Sequence, residues 1–126
     1  MEVFFSLGEM IGALDELEVC IMTIERMLKA TDDHDIEWFE ENVHQEYIYV
    51  DDFSMLTRED WFLALKQFFD DKIEMNNKRK ILIDESDITS FQFYRSIDNV
   101  EHRITNVHLL KDGKIWRHIV NRVPLK

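Results

Sequence analysis

The first half of the chain carries apolar residues at helical spacing. Steps of three and four predict a first amphipathic helix, with its stripe at Leu14, Leu17, Ile21, Ile24 and Leu28. The stretch "DDHDIEWFEENV", residues 32–43, predicts a second, shorter helix, which Asp33 or Asp35 can cap. Thr57 followed by Asp60 predicts the start of a third helix, by analogy with a capping box. Its apolar face comprises Trp61, Leu65, Phe68 and Phe69.

The period of the pattern changes to two in other segments. "EYIYVDDF", residues 46–53, alternates and predicts a strand between the second and third helices. From Lys78 onward, alternation predicts strands near 79–89, 90–98, 101–111 and 114–123, with turns at 97–99 and 111–114. This order predicts one α+β domain over residues 1–126, with three helices of the N-terminal half packed on a mostly antiparallel sheet.

Charge and composition narrow the possible partners. Residues 1–75 hold 20 acidic and 5 basic residues, and the whole chain has a net charge of −11. Such an acidic surface disfavours nucleic acid and anionic membranes as partners. The N-terminus does not resemble a signal peptide, and no apolar run reaches membrane-spanning length, so we expect a cytoplasmic protein. The lone Cys20 excludes an intrachain disulfide and a thiolate zinc site.

Two histidines flank the Asp-Gly turn in "VHLLKDGKIWRHIV", residues 107–120. A regular hairpin around this turn would place His108 opposite Arg117 and Val107 opposite His118. Neighbouring residues in a strand point to opposite faces, so His108 and His118 are expected on different sides of the sheet. No metal-ligand spacing occurs elsewhere, and we therefore predict no metal site and no cofactor.

Several stretches, "EEN", "EYIYVDDF", "REDWFLALKQFF" and the closing "LKDGKIWRHIV", together with the order of elements, resemble the NTF2-like superfamily. The similarity is to its SnoaL-like and ketosteroid-isomerase-like branch and extends from about Leu14 to Val123. The resemblance implies an NTF2-like, or cystatin-like, cone, in which a curved sheet wraps around the helices. It also implies a deep pocket on the concave face and a homodimer built on the convex face.

The resemblance also suggests site residues. Members often close with a "GKI-x-E-H-W-D"-like strand, which places the histidine on His118 and the acidic residue on Val120, so that carboxylate is missing. Asp51 or Asp52 takes the position of a pocket carboxylate, and Asp51 shares its side of the strand with Tyr47 and Tyr49. We predict Asp51 and His118 as candidate catalytic residues. The candidate ligand-binding residues are Trp116, Tyr49, Tyr94, Trp61 and Arg103.

Two hypotheses follow for the function. The first is a ligand-binding or assembly domain whose pocket takes a small hydrophobic molecule. The alternative is a cofactor-free isomerase, cyclase or hydrolase that uses carboxylate and histidine acid-base chemistry. In both cases His118 and Trp116 are expected to line the pocket, and the outer face of the sheet is expected to form a homodimer. That interface would be centred near His108, Arg117 and Ile119.

Overall fold

The computed structural model describes residues 22–125, which form three helices and six strands. The helices are α1 (Ile24–Asp32), α2 (Ile36–Asn42) and α3 (Arg58–Asp70). The strands are β1 (Val43–Val50), β2 (Met55–Thr57), β3 (Lys80–Asp84), β4 (Ile88–Ile97), β5 (Val100–Lys111) and β6 (Lys114–Pro124). The α+β class predicted from the sequence is confirmed, and the short strand β2 before the third helix is an element that the sequence analysis did not predict.

The helix starts depart from the predictions in two places. The helix that contains Ile24 begins at that residue and not earlier, because Thr23 is extended and its side chain accepts a hydrogen bond from the Arg26 backbone N–H. Leu14, Leu17, Cys20 and Ile21 lie outside the described residues. At α3 the predicted capping box does not form, since the Thr57 side chain makes no capping bond to the helix backbone. By contrast, Asp35 caps α2 by accepting from the Trp38 N–H at 3.1 Å.

The six strands form one sheet in the order β2-β1-β6-β5-β4-β3. Only the central β1–β6 pair is parallel among the described strands, so the sheet is mostly antiparallel as predicted. The two predicted hairpin turns are present. Asp98 and Asn99 have φ of 52° and 66°, and Asp112 and Gly113 have φ of 55° and 71°. Paired left-handed residues of this kind suit the twist of a tight hairpin.

The final hairpin contains a bulge that the sequence analysis did not predict. Leu110 lies opposite Ile115 as expected, but Leu109 lies opposite Arg117, so Trp116 is the extra residue. One extra residue inverts the side-chain parity beyond it. His108 therefore lies opposite His118, and the prediction that the two histidines face opposite sides is wrong.

Candidate functional site

A cavity of about 240 Å³ lies between the helices and the inner face of the sheet. Most of its lining is apolar, including Met27, Leu65, Phe91, Phe93, Ile104 and Ile115. Its volume is slightly below the roughly 300–1,000 Å³ of most ligand sites. A cavity of this size accommodates a small molecule with about one or two rings. Few polar side chains interrupt this lining, and their positions determine its chemistry.

The strand register places the polar groups at defined levels along the cavity. Residues opposite one another across neighbouring strands, here called rungs, share the inner face. From the Asp-Gly hairpin outward the rungs are Thr89–His108–His118–Tyr49, Phe91–Asn106–Val120, Phe93–Ile104–Arg122 and Arg95–His102–Pro124. The uncharged polar groups thus gather on the first two rungs, and the arginines lie on the last two.

His118 lies in a chain of buried hydrogen bonds. Its Nε2 is 2.8 Å from Asn106 Oδ1, an oxygen that can only accept, so Nε2 carries the proton. Its Nδ1 is then an acceptor and receives the Tyr47 hydroxyl proton at 2.8 Å. Burial, assisted by His108 and the positive charge of Arg122, holds the pKa of His118 well below its usual range. His118 is therefore a neutral imidazole with both nitrogens engaged.

His108 is stacked on His118, with ring centroids 4.3 Å apart and an interplanar angle of 29°. It is only 4% exposed, and its Nδ1 lies 3.4 Å from the Thr89 hydroxyl oxygen. Burial lowers the pKa of His108 to about 3. The pair is therefore uncharged at neutral pH and forms a polar but neutral end of the cavity.

Asn106 completes this end of the cavity. Its Oδ1 accepts from His118, and the side chain lines the cavity with only 6% exposure of the residue. Its Nδ2 is buried and has no hydrogen-bond partner among the residues that the structure describes. A buried donor without a partner costs about 1–3 kcal/mol. The Asn106 Nδ2 is therefore a buried donor that remains unsatisfied within the described part of the chain.

Asp51 faces the cavity, whereas Asp52 is exposed. Asp51 Oδ1 accepts at 2.9 Å from the backbone N–H groups of Phe53 and Ser54 and from the Ser54 hydroxyl. Its Oδ2 accepts from the Tyr49 hydroxyl at 2.8 Å and from Arg122 Nη1 at 3.1 Å. Burial alone would raise the pKa of Asp51, but these bonds together hold it well below its usual range. Asp51 is thus a fully engaged carboxylate.

Four of the predicted site residues line the cavity, namely Asp51, His118, Tyr49 and Trp61. Trp61 is 9% exposed, and its ring centroid lies 4.8 Å from that of Tyr47. The structure therefore brings the predicted carboxylate and histidine to one cavity. Their proposed roles remain predictions.

The other three predicted residues lie on the opposite face, which corrects their expected position in the pocket. Tyr94 and Arg103 pair with each other, while the residues beside them, Phe93 and Ile104, point inward. Trp116 is turned outward by the bulge. Its Nε1 donates to Glu46 Oε1 at 3.3 Å, and the Arg117 guanidinium lies 3.8 Å above its ring.

The expected dimer centre is corrected by the same register. His108 faces the cavity, so it cannot take part in an outer-face interface.

Three residues that line the cavity were not predicted as site residues, namely Asn106, Arg95 and Arg122. The available signal for Asn106 was a polar residue at an inward position between Ile104 and Leu110.

Residues 22–125 contain neither a cluster of metal-ligating side chains nor a membrane-spanning helix. No group of three or more His, Cys, Asp or Glu side chains there is arranged to hold a metal ion. No helix in that part of the chain has the length and apolar character needed to cross a bilayer.

Comparison of the fold with solved structures identifies its class. The chain has the NTF2-like fold, as the sequence resemblance implied. A protein proposed to be a ketosteroid isomerase from Kribbella flavida matches with a TM-score of 0.63 and 9% identity, over 82% of this chain and 76% of that one.

Two further structures are similar. An NTF2-like protein of unknown function from Cytophaga hutchinsonii has a TM-score of 0.58 and 10% identity, over 79% of this chain and 86% of that one. An epoxide hydrolase of M. tuberculosis, described as LEH-like, has a TM-score of 0.59 and 16% identity, over 82% of each chain. No protein-family model and no curated protein sequence matches the chain. Identities this low relate the folds and not the activities.

Proposed function

We propose that the cavity binds a small, largely apolar molecule that carries a hydrogen-bond acceptor, and that the protein is a binding domain. The observation that supports this most directly is the buried Asn106 Nδ2, which has no partner among residues 22–125. The apolar lining favours a hydrocarbon frame for the ligand, and one donor in that lining would fix its orientation. A ketone or ester oxygen has the required chemistry.

The acid-base alternative, a cofactor-free isomerase, cyclase or hydrolase, has less support. A general base needs a free lone pair within reach of the substrate proton. Asp51 already accepts five hydrogen bonds, and both ring nitrogens of His118 are engaged. His108, whose pKa is about 3, is a weak base at neutral pH. The isomerase and hydrolase names describe the proteins with similar structures and assign no activity to this chain.

The first prediction compares two probes of the same shape, 1-tetralone and tetralin, by isothermal titration calorimetry. The ketone oxygen can accept from Asn106 Nδ2, whereas the hydrocarbon leaves that donor unsatisfied. We expect the protein to bind 1-tetralone about five- to tenfold more tightly than tetralin, since one buried hydrogen bond contributes about 1 kcal/mol. Asn106→Asp replaces the donor with an acceptor and is expected to abolish this preference.

The matched control is Asn121→Asp, the same chemical change at an exposed position on β6. It should leave the preference for the ketone as in the parent protein. If neither probe binds at millimolar concentration, the cavity is not a ligand site of this kind. If the preference survives in Asn106→Asp, the amide is not the recognising group.

We also propose that the outer face of the sheet forms a homodimer, now without His108 in the interface. Val50 and Ile119 are adjacent across β1 and β6 and are 38% and 44% exposed. Light scattering after size exclusion at micromolar concentration should give twice the 15.3 kDa chain mass. Ile119→Lys should shift the mass to that of a monomer, because it places a charge in an apolar contact. The control is Leu63→Lys, which changes an exposed residue on α3 and should remain dimeric. A parent protein that is monomeric would contradict the proposal.

A further inference from the structure

Arg95 is a cavity-lining cation without an anionic partner. It lies on β4, on the inner face of the sheet and at the level farthest from the hairpin histidines. Among residues 22–125 it makes no salt bridge, and its recorded contact is with the Phe68 ring, whose centroid is 5.3 Å from the guanidinium carbon. The side chain is partly buried, so its charge has lost part of its hydration.

The neighbouring Arg122 is satisfied in a way that Arg95 is not. Arg122 donates to the Asp51 carboxylate at 3.1 Å and to the Tyr49 hydroxyl at 3.0 Å. Burial and the like charge of Arg122 both lower the pKa of Arg95. Asp51 therefore neutralises one arginine, and the second positive charge at this end of the cavity has no compensating carboxylate among the described residues.

We propose that the ligand is a small carboxylic acid whose carboxylate pairs with Arg95 while its second polar group accepts from Asn106. This proposal rests on the proposed function, because it places both contacts in the same cavity. An arginine fork fits a carboxylate with two parallel hydrogen bonds. The ligand class is therefore an apolar frame with a carboxylate at one end and a carbonyl oxygen at the other.

The spacing of the two contacts is consistent with a molecule of this size. Asn106 lies opposite Phe91, and Arg95 lies four residues further along the same strand. Four strand residues span about 13 Å between Cα atoms. The long arginine side chain can shorten this span, so a one-ring keto acid with a short alkyl chain suits the distance.

The overall charge of the protein makes the proposal specific. With a net charge of −11, the chain as a whole repels anions. A preference for a carboxylate over a neutral analogue would therefore need a local cation. Arg103 provides a comparison, since it carries the same charge on the outer face of the adjacent strand.

The test uses 5-oxo-5-phenylpentanoate and its primary amide, which have the same frame and differ in charge. Their dissociation constants are measured by calorimetry for the parent protein, Arg95→Gln and Arg103→Gln, at low and at moderate salt. We expect the parent protein to bind the carboxylate about tenfold more tightly than the amide, with the advantage shrinking as salt is added. Arg95→Gln should lose this advantage, and Arg103→Gln should keep it.

The outcomes separate this proposal from the proposed function. Equal binding of carboxylate and amide by the parent protein would overturn the role of Arg95 and leave the neutral-ligand cavity in place. An equal loss in Arg103→Gln would assign the effect to overall charge and would also overturn it. Failure of both compounds and of 1-tetralone to bind would overturn the proposed function and this inference together.

Discussion

We expect the protein to lose much of its stability between pH 6.5 and pH 4.5. The cause is the stacked pair of His108 and His118, whose pKa values in the folded protein lie below the ordinary value of 6.5. Unfolded chains take up protons on these residues in this range and the folded protein does not, so acidification favours unfolding. Above pH 6.5 their contribution is constant, and it is lost progressively as the pH falls toward the folded-state values.

The size of this effect follows from the number of protons. Each histidine lowers the free energy of unfolding by about 1.4 kcal/mol per pH unit. His108, whose pKa in the folded protein is about 3, therefore lowers the free energy of unfolding by about 2–3 kcal/mol between pH 6.5 and pH 4.5, and His118 adds to this loss in the same direction. This is a large part of the 5–15 kcal/mol stability of an ordinary domain. Asp51 acts in the same sense, because its lowered pKa stabilises the fold above the unfolded pKa, but this contribution is lost only at lower pH than that of the histidines.

Urea unfolding at several pH values directly measures the slope of the free energy of unfolding against pH. Removing one member of the pair in His108→Phe, which retains a flat ring beside His118, should reduce the slope by about half. His34→Gln changes an exposed histidine that stacks on Phe69 and should leave the slope as it is. A free energy of unfolding that stays constant from pH 6.5 to pH 4.5 would contradict a buried, neutral pair.

The second large effect is expected at the β1–β2 connection. Asp51→Asn replaces one carboxylate oxygen with an amide NH2 group, which donates and cannot accept from the former donors, and it removes the charge opposite Arg122. We expect the free energy of unfolding to fall by about 2–4 kcal/mol. The Arg122 side chain is 34% exposed, so its ion pair is screened by solvent, and most of the loss should come from the other donors.

Asp52→Asn is the matched control, since it makes the same change one residue away on an exposed side chain. Its free energy of unfolding should change by no more than about 0.5 kcal/mol. Folded Asp51→Asn protein should still bind 1-tetralone, because both Asp51 oxygens are bonded to protein donors and the ketone needs a donor, which Asn106 supplies. Equal stability of the two variants would show that the bonds to Asp51 contribute little.

The hairpins show how far local sequence rules reach. The turns at Asp98–Asn99 and Asp112–Gly113 were predicted from residue type, because few residues accept left-handed φ values. The side-chain parity beyond the second turn was not, because a single bulged residue, Trp116, inverts it. Trp116 is held outward by Glu46, which lies on a different strand and is distant in sequence.

The cavity residues show the same division between local pattern and long-range contact. Alternation correctly placed Asp51 on the side of Tyr47 and Tyr49. It could not predict that Asp51 would be fully hydrogen-bonded, because Arg122 reaches it from the far end of the chain. The significance of Asn106 likewise depends on His118, which donates to the amide oxygen Oδ1, while Nδ2 has no partner among the described residues.

The most direct test of the account is an NMR titration that follows the Asn106 side-chain amide. Its two N–H cross-peaks are assigned by their loss in Asn106→Asp. On addition of 1-tetralone we expect a downfield proton shift at this amide, because its Nδ2 gains a hydrogen bond, and a clearly smaller shift with tetralin. Saturation with 1-tetralone that leaves the Asn106 amide unchanged, while resonances elsewhere move, would contradict the proposed ligand site.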